Sequence, residues 1–274
     1  MNRTELLPDR PGIPPMAKLP DPEVIDPAAL ARAYAAGEID LICVVGPTAS
    51  GKTRYAVQLA HALACHSERS EESPEILSAD SRQVYRGMDI GTGKDLGEYG
   101  DVPYHLIDIV PAGAKYNIYQ YQAAFAEAWA SVRAKGAIPI LCGGSGLYIE
   151  AATKAYKFEK QNGVDPSLLP QKPYFIGTLV SREERVARID RRLEERLKEG
   201  LVEEVRGLLE TVPAQDLIYY GLEYKFVTQY ILGELSYDDM VVGLGNAIHQ
   251  FAKRQMTWFR GMERDGVRIH WVRP

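Results

Sequence analysis

The sequence contains few cysteines, and those present are far apart. Cys43, Cys65 and Cys142 form no CxxC pair and no Cys/His spacing of the kind that binds zinc. Two of them fall in predicted buried strands, where a thiol behaves as a small hydrophobic side chain. We therefore expect neither a zinc site nor a scaffold held together by disulfides.

Long apolar runs are also lacking. The longest, around 41–45 and 137–142, are far too short to cross a bilayer, which takes about 20 residues. The first 22 residues are rich in proline and charge and have no continuous apolar core, so they do not resemble a signal peptide. The sequence therefore predicts a cytoplasmic protein with no membrane partner, and we expect a monomer.

The chain has no excess of positive charge, because its formal net charge at pH 7 is −5. This argues against strong non-specific binding to nucleic acid, but a local basic patch is sufficient for a specific partner. Near the end of the chain, basic residues outnumber the acidic Glu263 and Asp265. The basic residues of this patch are Lys253, Arg254, Arg260, Arg264, Arg268 and Arg273.

The order of apolar segments predicts an α/β fold. With 274 residues, of which 46% are hydrophobic, the chain can form one α/β core and an appendage. Predicted strands at 40–45, 75–79, 104–110 and 137–142 are separated by helical segments, which is typical of a parallel sheet flanked by helices. After residue 180 the pattern is helical, and a last short strand at 268–272 is a candidate to return to the sheet.

The clearest motif is a phosphate-binding loop. Gly46–Thr53 reads GPTASGKT, fits the pattern GxxxxGK[ST] and lies between a predicted strand and a predicted helix. Its glycines let backbone N–H groups face phosphate oxygens, Lys52 adds positive charge, and the Thr53 hydroxyl is a ligand for Mg²⁺, the expected cofactor. The predicted contacts are Gly46, Thr48, Ala49, Ser50, Gly51, Lys52 and Thr53.

The loop alone would suggest an ATPase or a small-molecule kinase. Those enzymes need a carboxylate at the end of a neighbouring strand, whereas the strand at 137–142 is followed by Gly-Gly-Ser. Asp80 instead follows the strand at 75–79, at the edge where open α/β sheets bind ligands. Asp80 is therefore a candidate catalytic carboxylate, although capping of the next turn through Ser81 would also explain it.

Several motifs in a fixed order resemble the tRNA dimethylallyltransferase family. Downstream of the phosphate loop, Ser78–Lys94 reads SADSRQVYRGMDIGTGK and Tyr104–Asp108 reads YHLID. Gly143–Tyr148 reads GGSGLY, and Gln250–Arg260 reads QFAKRQMTWFR. The resemblance implies a P-loop α/β fold. It also implies an enzyme that transfers a dimethylallyl group from dimethylallyl diphosphate to the N6 amine of the adenosine 3′ of the anticodon in tRNA.

The resemblance implies roles for individual residues. The phosphate loop would hold the diphosphate, and Asp80 would be the general base that accepts a proton from the adenine amine. Ser145 replaces the threonine of the family's GGTGLY and keeps the hydroxyl that would bond the base or the diphosphate bridge in catalysis. Arg182, the third implied catalytic residue, would stabilise the leaving diphosphate, unless it is one charge of a solvated helix face. Trp258 fits either a stacking contact or a core aromatic residue. The implied contacts with the tRNA anticodon stem-loop are Asp80, Ser81, Arg82, Gln83, Lys253, Arg254, Gln255, Thr257, Trp258 and Arg260.

The sequence departs from the family in two places. Only Ile149–Ser181 separates GGSGLY from the helix that begins at Arg182, where the family has several dozen more residues in a helical insertion that embraces the anticodon loop. The family's Gly-Tyr-Lys segment reads Glu223-Tyr224-Lys225, and a glutamate there would repel phosphate. We therefore expect weaker or rebuilt contacts with RNA.

These patterns divide the chain into four regions. Residues 1–38 form an N-terminal extension, predicted to be partly disordered, and 39–148 form the P-loop α/β core. Residues 149–181 are a truncated insertion region, and 182–274 are helices that pack on the core and contact RNA. Within the core, the polar segment at 65–74 is predicted to be a surface insertion.

Three other functions remain open at this point. Prenylation of free AMP, ADP or ATP would need no RNA-binding insertion, but it would leave the basic segment near residues 253–260 without a purpose. A P-loop kinase or ATPase would need a carboxylate at the end of the strand next to the loop, and this sequence has none there. An RNA-binding protein without catalysis would agree with the short insertion, but Lys52, Thr53 and Asp80 are all retained.

Overall fold

The computed structural model describes residues 20–65, 73–154 and 164–274. Residues 1–19 of the N-terminal extension, which was predicted to be partly disordered, lie outside the described residues, as do residues 66–72 of the predicted surface insertion at 65–74. The same holds for the middle of the predicted truncated insertion region.

Strands and helices alternate in the first part of the chain, and helices dominate the last part. The strands are β1 (Leu41–Val45), β2 (Glu75–Ala79), β3 (Tyr85–Arg86), β4 (Tyr104–His105), β5 (Val110–Pro111), β6 (Pro139–Gly143), β7 (Pro173–Thr178) and β8 (Ile269–Val272). The helices are α1 (Pro27–Ala35), α2 (Lys52–Ala64), α3 (Ile118–Ala134), α4 (Gly146–Thr153), α5 (Arg182–Glu199), α6 (Leu201–Leu208), α7 (Ala214–Tyr219), α8 (Leu222–Ile231) and α9 (Tyr237–Arg264).

The main sheet is parallel throughout and has the order β4-β2-β6-β1-β7-β8. Its central strand β1 has the sequence LICVV, and every residue of it is buried. Leu41, Cys43 and Val45 point into one hydrophobic core, whereas Ile42 and Val44 point into the other. This alternation is expected of a strand covered on both faces by helices. The predicted α/β fold, a P-loop-type parallel sheet with a helical C-terminal part, is confirmed.

The predicted strand at 104–110 is wrong in its length. Only Tyr104–His105 pairs with β2 in the main sheet. Leu106 and Asp108 have positive φ angles of 66° and 57°, which a continuous strand cannot contain. The chain therefore turns, and β5 pairs with β3 in a separate two-stranded sheet.

Strand β7 was not identified from the sequence, although it pairs with β1 at the centre of the sheet. It lies within the region predicted to be the truncated insertion, so Pro173–Thr178 of that region belongs to the sheet. The predicted return of a final strand is confirmed, because β8 pairs with β7.

Helix α9 spans 28 residues and carries the basic segment identified in the sequence. Its buried residues Leu244, Ile248, Ala252 and Met256 recur every four positions and form the apolar face that packs on the rest of the protein. No helix in the described part of the chain combines the length and the apolar character that a bilayer crossing requires. Packing of α9 brings its C-terminal half against the phosphate-binding end of the sheet.

Candidate active site

The phosphate loop has the backbone geometry that its sequence predicts. It joins β1 to α2, and Lys52 is the first residue of the helix. Ala49 and Gly51 adopt left-handed φ angles of 59° and 81°, which turns successive N–H groups towards one concave side. Gly46 has no room for a side chain, because an added Cβ would lie 2.2 Å from Oγ1 of Thr178 on β7. The loop is therefore preorganised to bind an anion at the helix N-terminus.

A cleft opens at the carboxyl ends of β1, β2 and β6, and we call it the phosphate-loop cleft. It brings together two segments that the sequence assigned to different ligands, the phosphate loop and the segment after β2. The predicted site residues that line it are Thr48, Lys52, Thr53, Asp80, Arg82, Gln83 and Gln255. Residues not predicted from the sequence that also line it include Tyr99, Cys142, Arg192, Arg196, Glu223 and Phe251.

Asp80 lines the cleft and also caps the turn that follows β2, and its catalytic role stays a prediction. Its Oδ1 accepts a hydrogen bond of 2.9 Å from the backbone N–H of Arg82. The next residue, Ser81, donates its backbone N–H to the Ser145 hydroxyl at 2.9 Å, and the two hydroxyls are 3.2 Å apart. The Ser145 hydroxyl thus fixes the backbone beside Asp80. The carboxyl group is held in one orientation at the edge of the sheet.

Lys52 supplies the positive charge of the phosphate loop, and it lines the same cleft as the Asp80 carboxyl group. Burial lowers the pKa of its ammonium group from the usual value, and the negative charge of Asp80 opposes that shift. The lowered pKa shows that the ammonium charge is poorly solvated in the absence of an anion. A bound diphosphate would supply the missing counter-charge.

Glu223 lines the cleft and lies between two arginines. Its Oε2 accepts a 2.6 Å hydrogen bond from Arg82, and its Oε1 accepts a 3.0 Å hydrogen bond from Arg196. The Glu223 side chain is only 3% exposed. The repulsion of phosphate that the sequence suggested is therefore offset, because both carboxylate oxygens are paired within the protein. The contacts at this position are rebuilt around an internal ion-pair cluster.

We predict that Glu223→Ala lowers the free energy of unfolding by about 3 kcal/mol, because it leaves Arg82 and Arg196 as buried, unpaired charges. Urea denaturation of the purified variant measures this change. Glu194→Ala removes an exposed glutamate of α5 and serves as the control. Equal stability of the two variants would show that the cluster adds nothing to folding.

The predicted RNA-contacting residues of α9 fall on two sides of the helix. Lys253, Arg254, Thr257 and Arg260 are exposed, whereas Gln255 is buried at 7% exposure and bonds to the phosphate loop. Gln255 also lines the cleft, so its predicted contact with RNA stays a prediction. The exposed residues remain available to a large partner.

Trp258 is intermediate between the two roles that the sequence allowed. Its side chain is 39% exposed. Its indole packs so closely on α4 that a Cβ added to Gly146 would lie 2.4 Å from the ring. One part of the ring is thus a packing surface, and another part faces solvent.

Arg182 is exposed at the start of α5 and is not among the residues that line the cleft. Three other arginines of the same helix lie closer to the site. Arg192 and Arg196 line the cleft, and the Nη1 atom of Arg188 lies 3.7 Å from the Cβ position of Gly51 in the loop. Their spacing of four residues places them on one helix face, a signal that the sequence contained. The role of Arg182 at the diphosphate stays a prediction.

Two further motifs that carry the family resemblance, GTGK and YHLID, contact each other through Lys94. Lys94 is 1% exposed, and its Nζ donates to the carbonyl of Tyr85 at 2.7 Å and to the carboxylates of Asp89 and Asp108. The GTGK and YHLID segments are therefore tied to each other by one buried lysine. This contact shapes the loop that ends at Gly93 in the cleft wall.

Comparison with known proteins assigns the chain to a family. The family model described as IPP transferase matches residues 83–172 and 156–262. A protein of Porphyromonas gingivalis named tRNA dimethylallyltransferase 2 is 46% identical to this chain. The alignment is 290 positions long and includes 85% of this chain and 93% of that protein. A protein of the same name from Bacteroides fragilis is 43% identical over 293 residues, covering 86% and 93%.

Solved structures agree with these matches. The tRNA isopentenylpyrophosphate transferase of Bacillus halodurans superimposes with a TM-score of 0.73 at 26% identity, covering 85% of this chain and 89% of that one. The Staphylococcus epidermidis structure of tRNA delta(2)-isopentenylpyrophosphate transferase gives a TM-score of 0.69 at 28% identity, covering 85% and 92%.

The predicted shortening of the insertion stays a prediction, although the alignment lengths show that this chain and its relatives differ in length. The alignment with the P. gingivalis relative runs over 290 positions, more than the 274 residues of this chain, so the relative has residues that this chain lacks. The two matches to the family model overlap at residues 156–172, which lie within the predicted truncated region. With its motifs, its fold and these relatives in agreement, the chain belongs to the IPP transferase family.

Proposed function

We propose that this protein transfers a dimethylallyl group from dimethylallyl diphosphate to the N6 amine of the adenosine 3′ of the anticodon in tRNA. The relatives are named tRNA dimethylallyltransferases, and they cover most of the chain. The observation that carries the proposal is one cleft that is lined both by the anion-binding loop and by the Asp80 carboxyl group. Such a cleft holds an electrophile with an anionic leaving group next to a proton acceptor.

The reaction is a substitution at the allylic carbon. The adenine N6 nitrogen forms a bond to C1 of the dimethylallyl group while the bond from C1 to the diphosphate oxygen breaks, and its electron pair stays on the diphosphate. Asp80 accepts the proton that N6 loses. Lys52 and the N–H groups of the loop stabilise the negative charge that grows on the leaving diphosphate.

Mg²⁺ fits the donors that the cleft offers. The described residues contain no group of three or more His, Cys, Asp or Glu side chains that could hold a metal ion. Mg²⁺ commonly binds through one or two protein oxygens and the phosphates of a substrate, so the Thr53 hydroxyl and the diphosphate together would hold it. When bound, it would neutralise part of the charge on the leaving group.

The alternative interpretation, that the protein is a kinase or an ATPase, has less support than prenyl transfer. The strands next to β1 are β6 and β7, and they are followed by Gly144 and Leu179 rather than by a carboxylate. Asp80 follows β2, which is one strand further away. The Asp80 carboxyl group therefore lines the same cleft as the loop from a more distant strand, where it can face a second substrate.

A mass-spectrometric assay tests the proposal. The protein is incubated with dimethylallyl diphosphate, Mg²⁺ and either unmodified tRNA or AMP, and the product is examined for an added five-carbon unit. The proposal expects the unit on the tRNA and not on AMP. Modification of AMP alone would favour the free-nucleotide alternative, and ATP hydrolysis without transfer would favour the P-loop ATPase.

The exposed basic face of α9 supports contact with the anticodon stem-loop. We predict that Lys253→Ala combined with Arg254→Ala weakens tRNA binding and reduces the slope of log K against log salt by about 2, because each residue would neutralise about one phosphate. Filter binding at several salt concentrations measures the slope. Lys115→Ala, which changes an exposed lysine outside the segments implied to contact RNA, is the control. An unchanged slope in the double variant would remove α9 from the interface.

A further inference from the structure

Gln255 is the buried residue of the basic segment of α9, and both ends of its amide contact the active site. Its Oε1 accepts a 2.8 Å hydrogen bond from the backbone N–H of Thr48 in the phosphate loop. Its Nε2 donates a 2.9 Å hydrogen bond to the carbonyl of Gly144, just after β6. The orientation of the amide is fixed, since an N–H needs an acceptor and a carbonyl needs a donor.

The two partners of Gln255 belong to opposite sides of the catalytic arrangement. Thr48 lies in the loop that binds phosphate. Gly144 immediately precedes Ser145, whose hydroxyl accepts from the backbone N–H of Ser81, the residue after Asp80. One side chain therefore connects the phosphate loop to the turn that holds the backbone beside the general base.

The Gln255 amide packs closely against the backbone of Gly144. A Cβ added to Gly144 would lie 2.5 Å from Nε2 of Gln255. The side chain also lines the cleft together with Lys52 and Asp80. Since Oε1 already accepts from Thr48, the carbonyl oxygen holds the first part of the loop in place.

We propose that Gln255 is a positioning residue that fixes the phosphate loop for diphosphate binding and links that loop to the RNA-facing helix α9. The inference rests on the proposed function, because it deepens the role of the same cleft. Gln255 acts through the backbone of Thr48 and Gly144. It follows that its replacement impairs binding of the diphosphate and leaves binding of tRNA intact.

Two substitutions separate positioning from simple destabilisation. Gln255→Glu keeps an acceptor for Thr48 but turns a second oxygen towards the Gly144 carbonyl and adds negative charge beside the diphosphate. Gln255→Met has a similar length and removes both hydrogen bonds without adding charge. Gln215→Glu, which makes the same change of charge at an exposed glutamine of α7, is the matched control.

Calorimetric titration with inorganic diphosphate and Mg²⁺ measures the effect without requiring catalysis. We expect Kd for diphosphate to rise about 10-fold in Gln255→Met and more in Gln255→Glu, with the control within twofold of wild type. In steady-state assays KM for dimethylallyl diphosphate should rise, whereas KM for tRNA should change less than twofold. Circular dichroism verifies that the variants are folded.

The inference is overturned if folded Gln255→Met binds diphosphate like wild type. It is also overturned if tRNA affinity falls about 10-fold while diphosphate affinity is unchanged, since Gln255 would then contact RNA. Failure of the proposed function has a different signature, namely wild-type protein that binds diphosphate and transfers no prenyl group. In that case the effect of Gln255 on diphosphate affinity still decides the inference.

Discussion

Replacement of Asp80 by asparagine is expected to lower kcat for dimethylallyl transfer by about 10²- to 10⁴-fold, the range that general-base catalysis contributes. Asparagine keeps an oxygen for the hydrogen bond from the Arg82 N–H, so the turn after β2 is preserved. It has no basic oxygen to accept the amine proton. The amine must then attack while it retains its proton or pass it to water.

Single-turnover kinetics with tRNA and dimethylallyl diphosphate measure this loss. The affinity for diphosphate should stay within a few-fold of wild type, because the phosphate loop is untouched. Asp238→Asn, an exposed carboxylate in the first turn of α9, is the control and should be fully active. Near-normal turnover of the Asp80→Asn enzyme would show that another group accepts the proton.

Lys52→Met is the second substitution with a large expected effect. Methionine is similar in length but has no charge, so the growing charge on the leaving diphosphate loses its nearest cation in the loop. We expect kcat/KM for dimethylallyl diphosphate to fall by about 10²- to 10³-fold, as when one group that stabilises a developing anion is removed. Because the Lys52 ammonium is poorly solvated in the free protein, the folded variant should be no less stable than wild type.

The control for this experiment is Lys198→Met, which neutralises an exposed lysine near the end of α5. Substrate dependence is measured with tRNA held at saturation. A Lys52→Met enzyme that keeps kcat/KM within threefold of wild type would mean that the arginines of α5 carry the diphosphate charge. Arg192 and Arg196, which line the cleft, would then be the residues to replace next.

The local pattern of the sequence was sufficient for the phosphate loop and for Asp80. A glycine-rich loop between an apolar strand and a helix has one geometry, and the loop adopts the left-handed angles at Ala49 and Gly51 that this geometry needs. Asp80 follows an apolar strand, and the carboxyl ends of parallel strands meet at one edge. The sequence alone therefore placed both parts of the cleft on the same side of the sheet.

Only the tertiary structure decided what completes the cleft. Gln255 reaches Thr48 across 207 positions of the chain, and Glu223 reaches Arg82 across 141. Such contacts cannot be predicted from the residues that are adjacent in the sequence. The spacing of apolar residues in a helix indicates which face is buried, but it does not indicate which segment that face packs against. The sequence therefore assigned all the selected residues around Gln255 to one RNA-facing surface, whereas the packing of α9 directs the Gln255 amide towards the phosphate loop. Strand β7 did carry a local signal, the apolar segment PYFIGT, and this signal was overlooked. Its place beside β1, however, depends on pairing between distant segments.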